Sequence, residues 1–561
     1  MSKKVQVIEN VLFAIIILSG IFIRMINLGS LPLGETEAGY ALNAFSIING
    51  SQISPTNQPL YASLTSILFF VFGSSEFLSR LTPLIFGCAL IFIPYLLRSK
   101  IGIIPALFGT LFIAFDPGLI ALSRQAGNSI ISITLVLIAL TAFGFHKYKL
   151  SGVLLGLWLF GGTSTWLGLI LLLLACGLAM VFFEKDELKI NINSKKLFQG
   201  FLFGTLVLGG MFFLFPMSYS GLSQSMVDFV KSWKVQPEFN VFALLITLVK
   251  YHPLILILSV ISGIIGWTKN DKKVQYLSMI AVLALILLVV FPGKTVQDLV
   301  WLILPLILLS VYRIGDWLKI DKNEILQTSG VTLVGLILFV FMMLNAVSAF
   351  YAKAPSTNNG MSQWLIIVAA ILMIAAIVLL VGWGWSWKIA FTGFFWSVTI
   401  FTFGLQISSA FHISGPSSGE SFSIWQAELS KNERNLLIAS VNDLSGWNTG
   451  RKDALDMVLL NMNSDVLNWE FRNYPNVTEF RSLSVNQKPS MVITNQNEGL
   501  TLSAEYRGQD FNIQSTPDFQ NMTFDDWKTW LFGGEMKVTR DEKILWARAD
   551  LFPGMGENTN P

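Results

Sequence analysis

The chain has 561 residues, of which 53% are hydrophobic and only 13% are charged, and its mean hydropathy is +0.60. Soluble proteins carry about 25% charged residues, so this composition excludes a soluble globular chain and indicates a polytopic membrane protein. The net charge of +3, with no basic block that alternates with aromatic residues, gives no support for nucleic-acid binding. Cys88 and Cys176 lie far apart in apolar segments, which argues against a disulfide framework.

The apolar segments predict about 13 membrane-spanning helices. Val11–Ile23, Leu197–Phe215 and Val331–Ala349 approach or reach the ~20 residues needed to cross a bilayer. Basic residues gather in the loops of one side, which places those loops, and the N-terminus with Lys3 and Lys4, in the cytoplasm. The odd number of spans then places the C-terminal region outside, and we expect a multi-pass protein of the plasma membrane.

Two outer segments between the spans are predicted. The first outer loop covers residues 29–79, and within it Leu60–Gly73 is apolar but too short to cross, so we predict a helix at the outer interface. Tyr219–Phe239 is predicted to be a polar outer loop.

The composition becomes polar from about Gly415 onward, which divides the chain into a membrane domain, residues 1–414, and an extracytoplasmic α/β domain, residues 415–561. Ser414–Ser421 is the predicted linker. The strand-like segments are Asn435–Val441, Ser490–Thr494 and Ile544–Arg548, whereas Asp453–Leu460 has helical spacing.

Two carboxylates, Glu35 and Glu37, follow the first span in the phrase LPLGETEAGYA. A carboxylate at the outer mouth of a membrane helix is placed to take a proton from an acceptor at the membrane surface. The structural alternative is a helix start, in which Thr36 caps a helix that begins at Glu37 and the acids favour the helix dipole.

Further charged residues are predicted near the outer ends of spans. Charges at membrane depth are costly, at roughly 2.5–3.5 kcal/mol each on insertion scales. Each of them has a structural alternative, which is snorkelling or a salt bridge. Together they predict a polar cavity that opens outward, in which arginine and lysine receive an anionic group such as a phosphate. These residues are Arg24, Arg80, Asp116, Arg124, Lys294 and Asp298.

Five phrases in one order resemble the GT-C superfamily of polyprenyl-phosphate-dependent glycosyltransferases, in the branch of the protein O-mannosyltransferases and lipid A aminoarabinose transferases. Thr36–Ala41 resembles the phrase D-E-A-x-Y-A, Gln58–Tyr61 the start of an interfacial helix, and Phe72–Pro83 the phrase F-G-x-S-E-F-x-x-R-L-P. Ala121–Ala126 resembles an S-R-E-A phrase, and Pro292–Lys294, with Trp301 and the L-P-L of residues 304–306, resembles a later pair of spans. The phrase Val466–Tyr474 looks like one in bacterial members of this type.

The resemblance implies an inverting transfer of a sugar from a polyprenyl-phosphate donor to a lipid, protein or glycan acceptor. It assigns the donor phosphate to Arg80, Arg124 and Lys294, and the general base to Glu37 or Glu35. Substrate-site support falls to Tyr40, Tyr61 and Asp116.

One departure from the family pattern concerns the base itself. The aspartate that the family uses as base falls on Thr36, which is not a base at neutral pH. The base is then Glu35 or Glu37, or the activity is lost.

No metal is expected, because enzymes of this branch do not generally require one and the three histidines, His146, His252 and His412, are scattered. A divalent ion is compatible with the carboxylate pair but is not indicated. In the C-terminal domain, Trp447, Trp469 and Tyr474 are candidates for stacking on sugars, with core packing as the alternative.

Two other functions remain open. A transporter or flippase would also place charges in the membrane, but paired repeats with broken helices are typical of that class and none is visible in the sequence. A non-catalytic relative that binds lipid-linked glycans is the other alternative, and Thr36 is the observation that favours it.

Overall fold

The computed structural model describes residues 3–50, 55–183, 193–235, 237, 239–312, 314, 324–351, 359–415, 424–426, 431–484, 487–496, 503–534 and 536–552. The predicted linker Ser414–Ser421 falls outside these residues from position 416 onward. The first two thirds of the chain is helical, and a five-stranded sheet with three helices follows.

The helices of the membrane region have these bounds: α1 Lys3–Met25, α2 Glu35–Asn49, α3 Pro59–Phe72, α4 Glu76–Ile101, α5 Ile103–Phe115, α6 Pro117–Ser123, α7 Ile130–Gly144, α8 Tyr148–Trp158, α9 Ser164–Phe182, α10 Ser194–Phe203, α11 Met217–Ser232, α12 Val241–Tyr251, α13 Pro253–Thr268, α14 Lys272–Val290, α15 Val300–Tyr312, α16 Ile325–Tyr351, α17 Asn359–Gly384 and α18 Trp387–Ser414. A short 3₁₀ turn, Ile424–Gln426, follows α18.

Seven helices in the described part of the chain are long and apolar enough to cross a membrane, and the number rises to nine if each of two bent pairs is one span. Three shorter apolar helices accompany them, among them α3, which confirms a helix over most of Leu60–Gly73. Its position at the outer interface stays a prediction. The total of about 13 spans stays a prediction.

The two bent pairs break at an X-Pro step. α5 and α6 meet at 58° at Asp116-Pro117, and α12 and α13 meet at 96° at His252-Pro253. Proline disfavours helical backbone in the residue before it but is well suited to the first position of a new helix, so each step ends one helix and begins the next.

The prediction of an outer loop at Tyr219–Phe239 is wrong for most of that segment, because α11 occupies Met217–Ser232. Although this segment is polar in composition, α11 has a buried face. Ser218, Gly221 and Ser225 are buried there at spacings of three and four residues. That face is made of small residues rather than large apolar ones, and a hydrophobic pattern therefore does not reveal it.

The C-terminal region folds as a mixed sheet in the order β2-β1-β3-β5-β4, with β1 parallel to β2 and β3, and β5 antiparallel to β3 and β4. The elements are α19 Lys431–Thr449, β1 Met457–Leu460, α20 Asp465–Glu470, β2 Val477–Phe480, β3 Met491–Asn495, β4 Tyr506–Pro517, α21 Phe524–Gly533 and β5 Val538–Arg548. The predicted strands Ser490–Thr494 and Ile544–Arg548 are confirmed.

Two predictions in this region are wrong. Asn435–Val441 is part of helix α19, in which Leu437, Val441 and Leu444 are buried at the spacing of a helix face. Asp453–Leu460 contains strand β1 instead of a helix. All four residues of β1 are buried because it lies between two parallel neighbours, so it shows no alternation of polar and apolar residues.

Helix α2 of the first outer loop shares one hydrophobic core with the C-terminal domain. Its small residues Ala38, Ala41 and Ala44 are fully buried in the cluster that contains Leu437 and Trp469. The buried Arg434 of α19 donates a hydrogen bond of 2.6 Å to the carbonyl of Leu33. The core therefore crosses the predicted domain boundary at residue 415.

We expect Leu437→Ala to destabilise the protein by about 2–5 kcal/mol, because the side chain is fully buried between α2 and the sheet domain. Its neighbour Leu436 is 57% exposed on the same helix, so Leu436→Ala is the matched control. Thermal unfolding of both variants in detergent checks this. Equal shifts of the two melting temperatures would contradict the shared core.

Candidate active site

A cavity of about 790 Å³ lies beside the shared core, within the size range of small-molecule sites. Its walls come from seven separate segments of the membrane region and from the C-terminal domain. The residues that line it include Thr36, Glu37, Tyr40, Gln58, Arg80, Arg124, Gln125, Asp228, Lys294, Asp298, Trp425 and Asp518.

Glu37 is the anchored carboxylate of this cavity. Its Oε1 accepts hydrogen bonds from Nε of Arg80 at 3.0 Å and from the backbone N–H of Ala126 at 2.7 Å. Its Oε2 accepts from Nη2 of Arg80 at 2.7 Å and from the backbone N–H of Gly34 at 3.3 Å. A carboxylate has about four acceptor positions, and the protein itself uses all four.

Arg80 is saturated in the same way. Besides its two bonds to Glu37, Nη1 donates to the carbonyls of Leu28 and Leu31, and Nη2 donates to that of Pro32. All five N–H donors of the guanidinium are therefore used inside the protein. The contacts of Arg80 hold the first outer loop in place and leave no donor for the phosphate that the sequence assigns to it.

Glu35 lies outside the cavity, two residues before Glu37 on the first turn of α2. Its carboxylate accepts hydrogen bonds from the backbone N–H groups of Asp465 at 2.5 Å and Val466 at 3.3 Å, and from Oγ of Ser464 at 3.2 Å. It therefore binds the N-terminus of α20, where a negative charge is stabilised by the helix dipole. The structure brings Glu37 to the cavity but not Glu35.

Arg124 lines the cavity with donors to spare. Its Nη1 donates to the carbonyls of Arg24 and Ile26, at 2.9 and 2.5 Å, and more weakly to that of Ile23. Nη2 makes one long bond of 3.4 Å to the carbonyl of Ser414, and Nε has no hydrogen bond within the described residues.

Lys294 is the second cation of the cavity with an unused donor. It lies in the turn between α14 and α15, and its Nζ donates to the carbonyls of Phe291 at 3.2 Å and Val289 at 3.5 Å, at the end of α14. One N–H of the ammonium is left over. Burial lowers the pKa of Lys294, so an anion beside it would favour the charged form.

The residues predicted as substrate-site support fall in three different places. Tyr40 lines the cavity, and its ring is packed against Gly127, where the backbone has a φ of +61° and a side chain would collide with the ring. Tyr61 is 1% exposed, donates its hydroxyl to the carbonyl of Ser79 and does not line the cavity. Asp116 is fully buried and does not line the cavity either.

Asp116 and His252 connect the two bent helix pairs. Each is the residue at which its pair breaks, and Oδ2 of Asp116 lies 2.8 Å from Nδ1 of His252 with both side chains fully buried. Oδ1 of Asp116 accepts the N–H of Leu119 and caps α6. The His252 ring also meets the ring of Trp425, a cavity residue, edge to face at 6.2 Å. Asp116 thus supports the cavity wall from behind.

Arg24 is also a structural residue. It is fully buried and donates to the carbonyls of Gly20, Ile113 and Ala114 and to Oγ of Ser123, away from the cavity. These bonds join α1 to α5 and α6, so Arg24 has a structural role, through hydrogen bonds to carbonyls and a hydroxyl rather than through the predicted salt bridge.

The sequence reasoning missed Asp228 and Gln125. Asp228 lies in the segment interpreted as a loop, so nothing marked it as a wall of the cavity. Gln125 stands where the S-R-E-A phrase has its glutamate, and its side chain donates to the backbone carbonyl of Trp425. The signal that could have identified Gln125 is its position in the S-R-E-A phrase, where it replaces the glutamate.

The phrases Phe72–Pro83 and Val466–Tyr474 contact each other. Nε1 of Trp469 donates to Oε1 of Glu76 at 3.2 Å, and Nε of Arg472 donates to Oγ of Ser74 at 3.1 Å. Trp469 is fully buried, so it belongs to the core and is not a sugar-stacking surface. Tyr474 is partly buried beside it, whereas Trp447 is exposed.

No group of three or more His, Cys, Asp or Glu side chains that could hold a metal ion occurs within the described ranges. The carboxylates of the cavity are instead bonded to N–H and O–H donors of the protein. The buried Asp298 accepts from the backbone and hydroxyl of Thr295 and from Ser164. Burial raises the pKa of Asp298, and the bonds from Thr295 oppose that rise.

We expect Glu37→Gln to lower the stability by about 3–5 kcal/mol, because it leaves the buried charge of Arg80 without its carboxylate. The control is Asp550→Asn, which breaks the more exposed Arg548–Asp550 pair and should change little. Thermal unfolding in detergent measures both. A Glu37→Gln protein as stable as the wild type would show that the pair does not hold the loop.

The chain is similar to known proteins in its structure, but sequence comparisons give no match. No protein-family model and no curated protein matches the sequence. The chain is similar to ArnT from Cupriavidus metallidurans bound to undecaprenyl phosphate, with a TM-score of 0.52 and 13% identity over 98% of this chain and 99% of that chain. The apo state of ArnT gives a TM-score of 0.50 and 13% identity over 88% and 94%.

A third likeness, to the Archaeoglobus fulgidus oligosaccharyltransferase, has a TM-score of 0.35 and 13% identity over 83% and 62% of the two chains, too low to establish a shared fold. The ArnT likeness extends over nearly the whole of both chains, membrane helices and C-terminal sheet domain together. The chain therefore has the fold of ArnT, in agreement with the fold that the sequence resemblance implies.

Proposed function

We propose that the chain is a membrane glycosyltransferase that moves a sugar from a polyprenyl-phosphate donor to an extracytoplasmic acceptor with inversion. The observation that carries the proposal is the pair Arg124 and Lys294. They come from segments 170 positions apart in the sequence, face one cavity, and each keeps an unused N–H donor. ArnT, whose fold the chain has, was solved with undecaprenyl phosphate bound, and this ligand has the phosphate that such donors would hold.

The reaction needs cations where the leaving group develops charge. When the bond between the anomeric carbon and the phosphate oxygen breaks, its electron pair goes to the phosphate, which gains a negative charge. Charge-assisted hydrogen bonds from Arg124 and Lys294 stabilise that charge more strongly in the transition state than in the donor. Arg80, predicted as a third phosphate ligand, is instead assigned the role of fixing Glu37 and the first outer loop.

The proposed arrangement places the cavity on the outer side of the plasma membrane, with a cytoplasmic N-terminus and an extracytoplasmic C-terminal domain. The acceptor is a hydroxyl of a lipid, protein or glycan that reaches the cavity from that side. No metal is assigned a role, because the charge on the phosphate is met by side chains. Tyr40 and Gln58 complete the cavity wall beside Glu37.

A non-catalytic, glycan-binding relative is the second candidate, and two observations favour it. Thr36 stands where the resembling enzymes have their aspartate, and Glu37 has its four acceptor positions filled. Such a protein would bind the lipid-linked sugar without turnover. A transfer assay in membranes with radiolabelled polyprenyl-phosphate sugars separates the two candidates, because only the enzyme releases polyprenyl phosphate.

We expect Lys294→Gln to weaken binding of undecaprenyl phosphate by about 10- to 100-fold, the loss typical of one charge-assisted hydrogen bond. Lys294→Arg should retain most of the affinity. The matched control is Lys273→Gln, an exposed lysine at the start of α14, the helix that ends just before the turn with Lys294. Binding of the radiolabelled lipid to purified protein measures all three.

Unchanged affinity in Lys294→Gln would remove Lys294 from the phosphate site. Equal weakening in Lys273→Gln would show that general attraction between the anion and the protein, and not the cavity, accounts for binding.

A further inference from the structure

Four carboxylates of the described residues line the cavity: Glu37, Asp228, Asp298 and Asp518. A general base must accept the proton of the attacking hydroxyl on a carboxylate oxygen that still has an acceptor position available. The four side chains differ in how many of these positions the protein already uses, and this difference separates them.

Three of the four are nearly or fully occupied. Glu37 accepts four hydrogen bonds, two of them from a guanidinium. Asp298 accepts three, from Thr295 and Ser164. Asp518 accepts three from the backbone and side chain of Asn521.

Asp228 accepts fewer hydrogen bonds than any of these three. Its Oδ1 accepts from Nε2 of Gln224 at 2.8 Å and its Oδ2 from Nδ2 of Asn57 at 3.1 Å. About two of its four acceptor positions remain, one on each oxygen. Both donors are neutral amides, and no ion pair to Asp228 occurs among the described residues. The side chain is only partly buried, so a hydroxyl can reach it.

Helix α11, which carries Asp228, is fixed on several sides. Gly221 lies so close to Pro59 that a Cβ would be 2.9 Å from the proline ring. Oγ of Ser225 accepts from Nε1 of Trp166 at 3.1 Å. Phe229, the next residue after Asp228, stacks on Phe291 at 5.4 Å. These contacts hold Asp228 at the wall that also carries Lys294.

We propose that Asp228 is the general base of the transfer, an inference that rests on the proposed function. The acceptor oxygen forms a bond to the anomeric carbon while the bond from that carbon to the phosphate oxygen breaks. The electron pair of the broken bond goes to the phosphate beside Arg124 and Lys294. The hydroxyl proton goes to a free position on the Asp228 carboxylate and then to water.

Glu37 has another role in this arrangement. It is a positioning residue that fixes Arg80, the first outer loop and the backbone of Ala126, next to Gln125 of the cavity. The absence of aspartate at position 36 and of glutamate at position 125 then leaves the chemistry intact, because the proton acceptor stands on α11.

The test compares Asp228→Asn with the matched variant Asp518→Asn, which removes a charge from the same cavity at an occupied carboxylate. The probe is undecaprenyl phosphate that carries a radiolabelled sugar, and the readout is release of undecaprenyl phosphate, with water or membrane hydroxyls as acceptor. We expect Asp228→Asn to slow release by about 10²- to 10⁴-fold, the usual contribution of a general base. Donor binding and melting temperature should stay near the wild-type values.

Asp228→Glu should recover part of the rate, because it restores a carboxylate at the same position of α11. Release by Asp228→Asn at more than half the wild-type rate overturns the assignment of the base and leaves the transferase proposal standing. A wild-type protein that binds the donor without any release overturns both proposals. Equal losses in Asp228→Asn and Asp518→Asn would show a general effect of cavity charge and overturn the assignment of Asp228.

Discussion

The bidentate pair between Glu37 and Arg80 is the contact on which the arrangement of the cavity depends. It joins the first turn of α2 to the start of α4, and the remaining donors of Arg80 bind three carbonyls of the loop between α1 and α2. The remaining acceptor positions of Glu37 bind the backbone at Ala126 and Gly34. Because Arg80 is buried, Glu37 is largely buried, and each uses its full hydrogen-bonding capacity, the pair fixes one geometry rather than several.

The neighbouring acid, Glu35, lies on the same helix turn but contacts the other part of the chain. Glu37 points to the membrane helices and Glu35 to the N-terminus of α20 in the C-terminal domain. α2 is therefore a connector between the two parts of the chain, and its row of alanines allows close contact with the sheet domain. The sequence predicts a catalytic carboxylate in this turn, but the contacts of the turn mainly hold the two parts of the chain together.

The sequence predicts the general fold well, because runs of apolar residues indicate membrane helices and clusters of basic residues indicate the loops between them. Six charged residues at span ends were predicted to share one cavity, and the structure brings four of them together: Arg80, Arg124, Lys294 and Asp298. The other two, Arg24 and Asp116, do not line it. The roles of Glu35 and Arg80 could not be read in the same way, because their partners are backbone groups distant in sequence. Asp228 was missed because α11 buries serine and glycine, which a hydropathy pattern does not recognise as a helix face.

The shared core also has a consequence for the order of events during synthesis. Arg434 binds the carbonyl of Leu33 across 401 positions of sequence. At about 5–20 residues per second, roughly 20–80 s pass between the appearance of the two at the ribosome. Throughout that interval the alanine face of α2 lacks the C-terminal part of its hydrophobic core. That core is therefore completed only after the sheet domain has been synthesised.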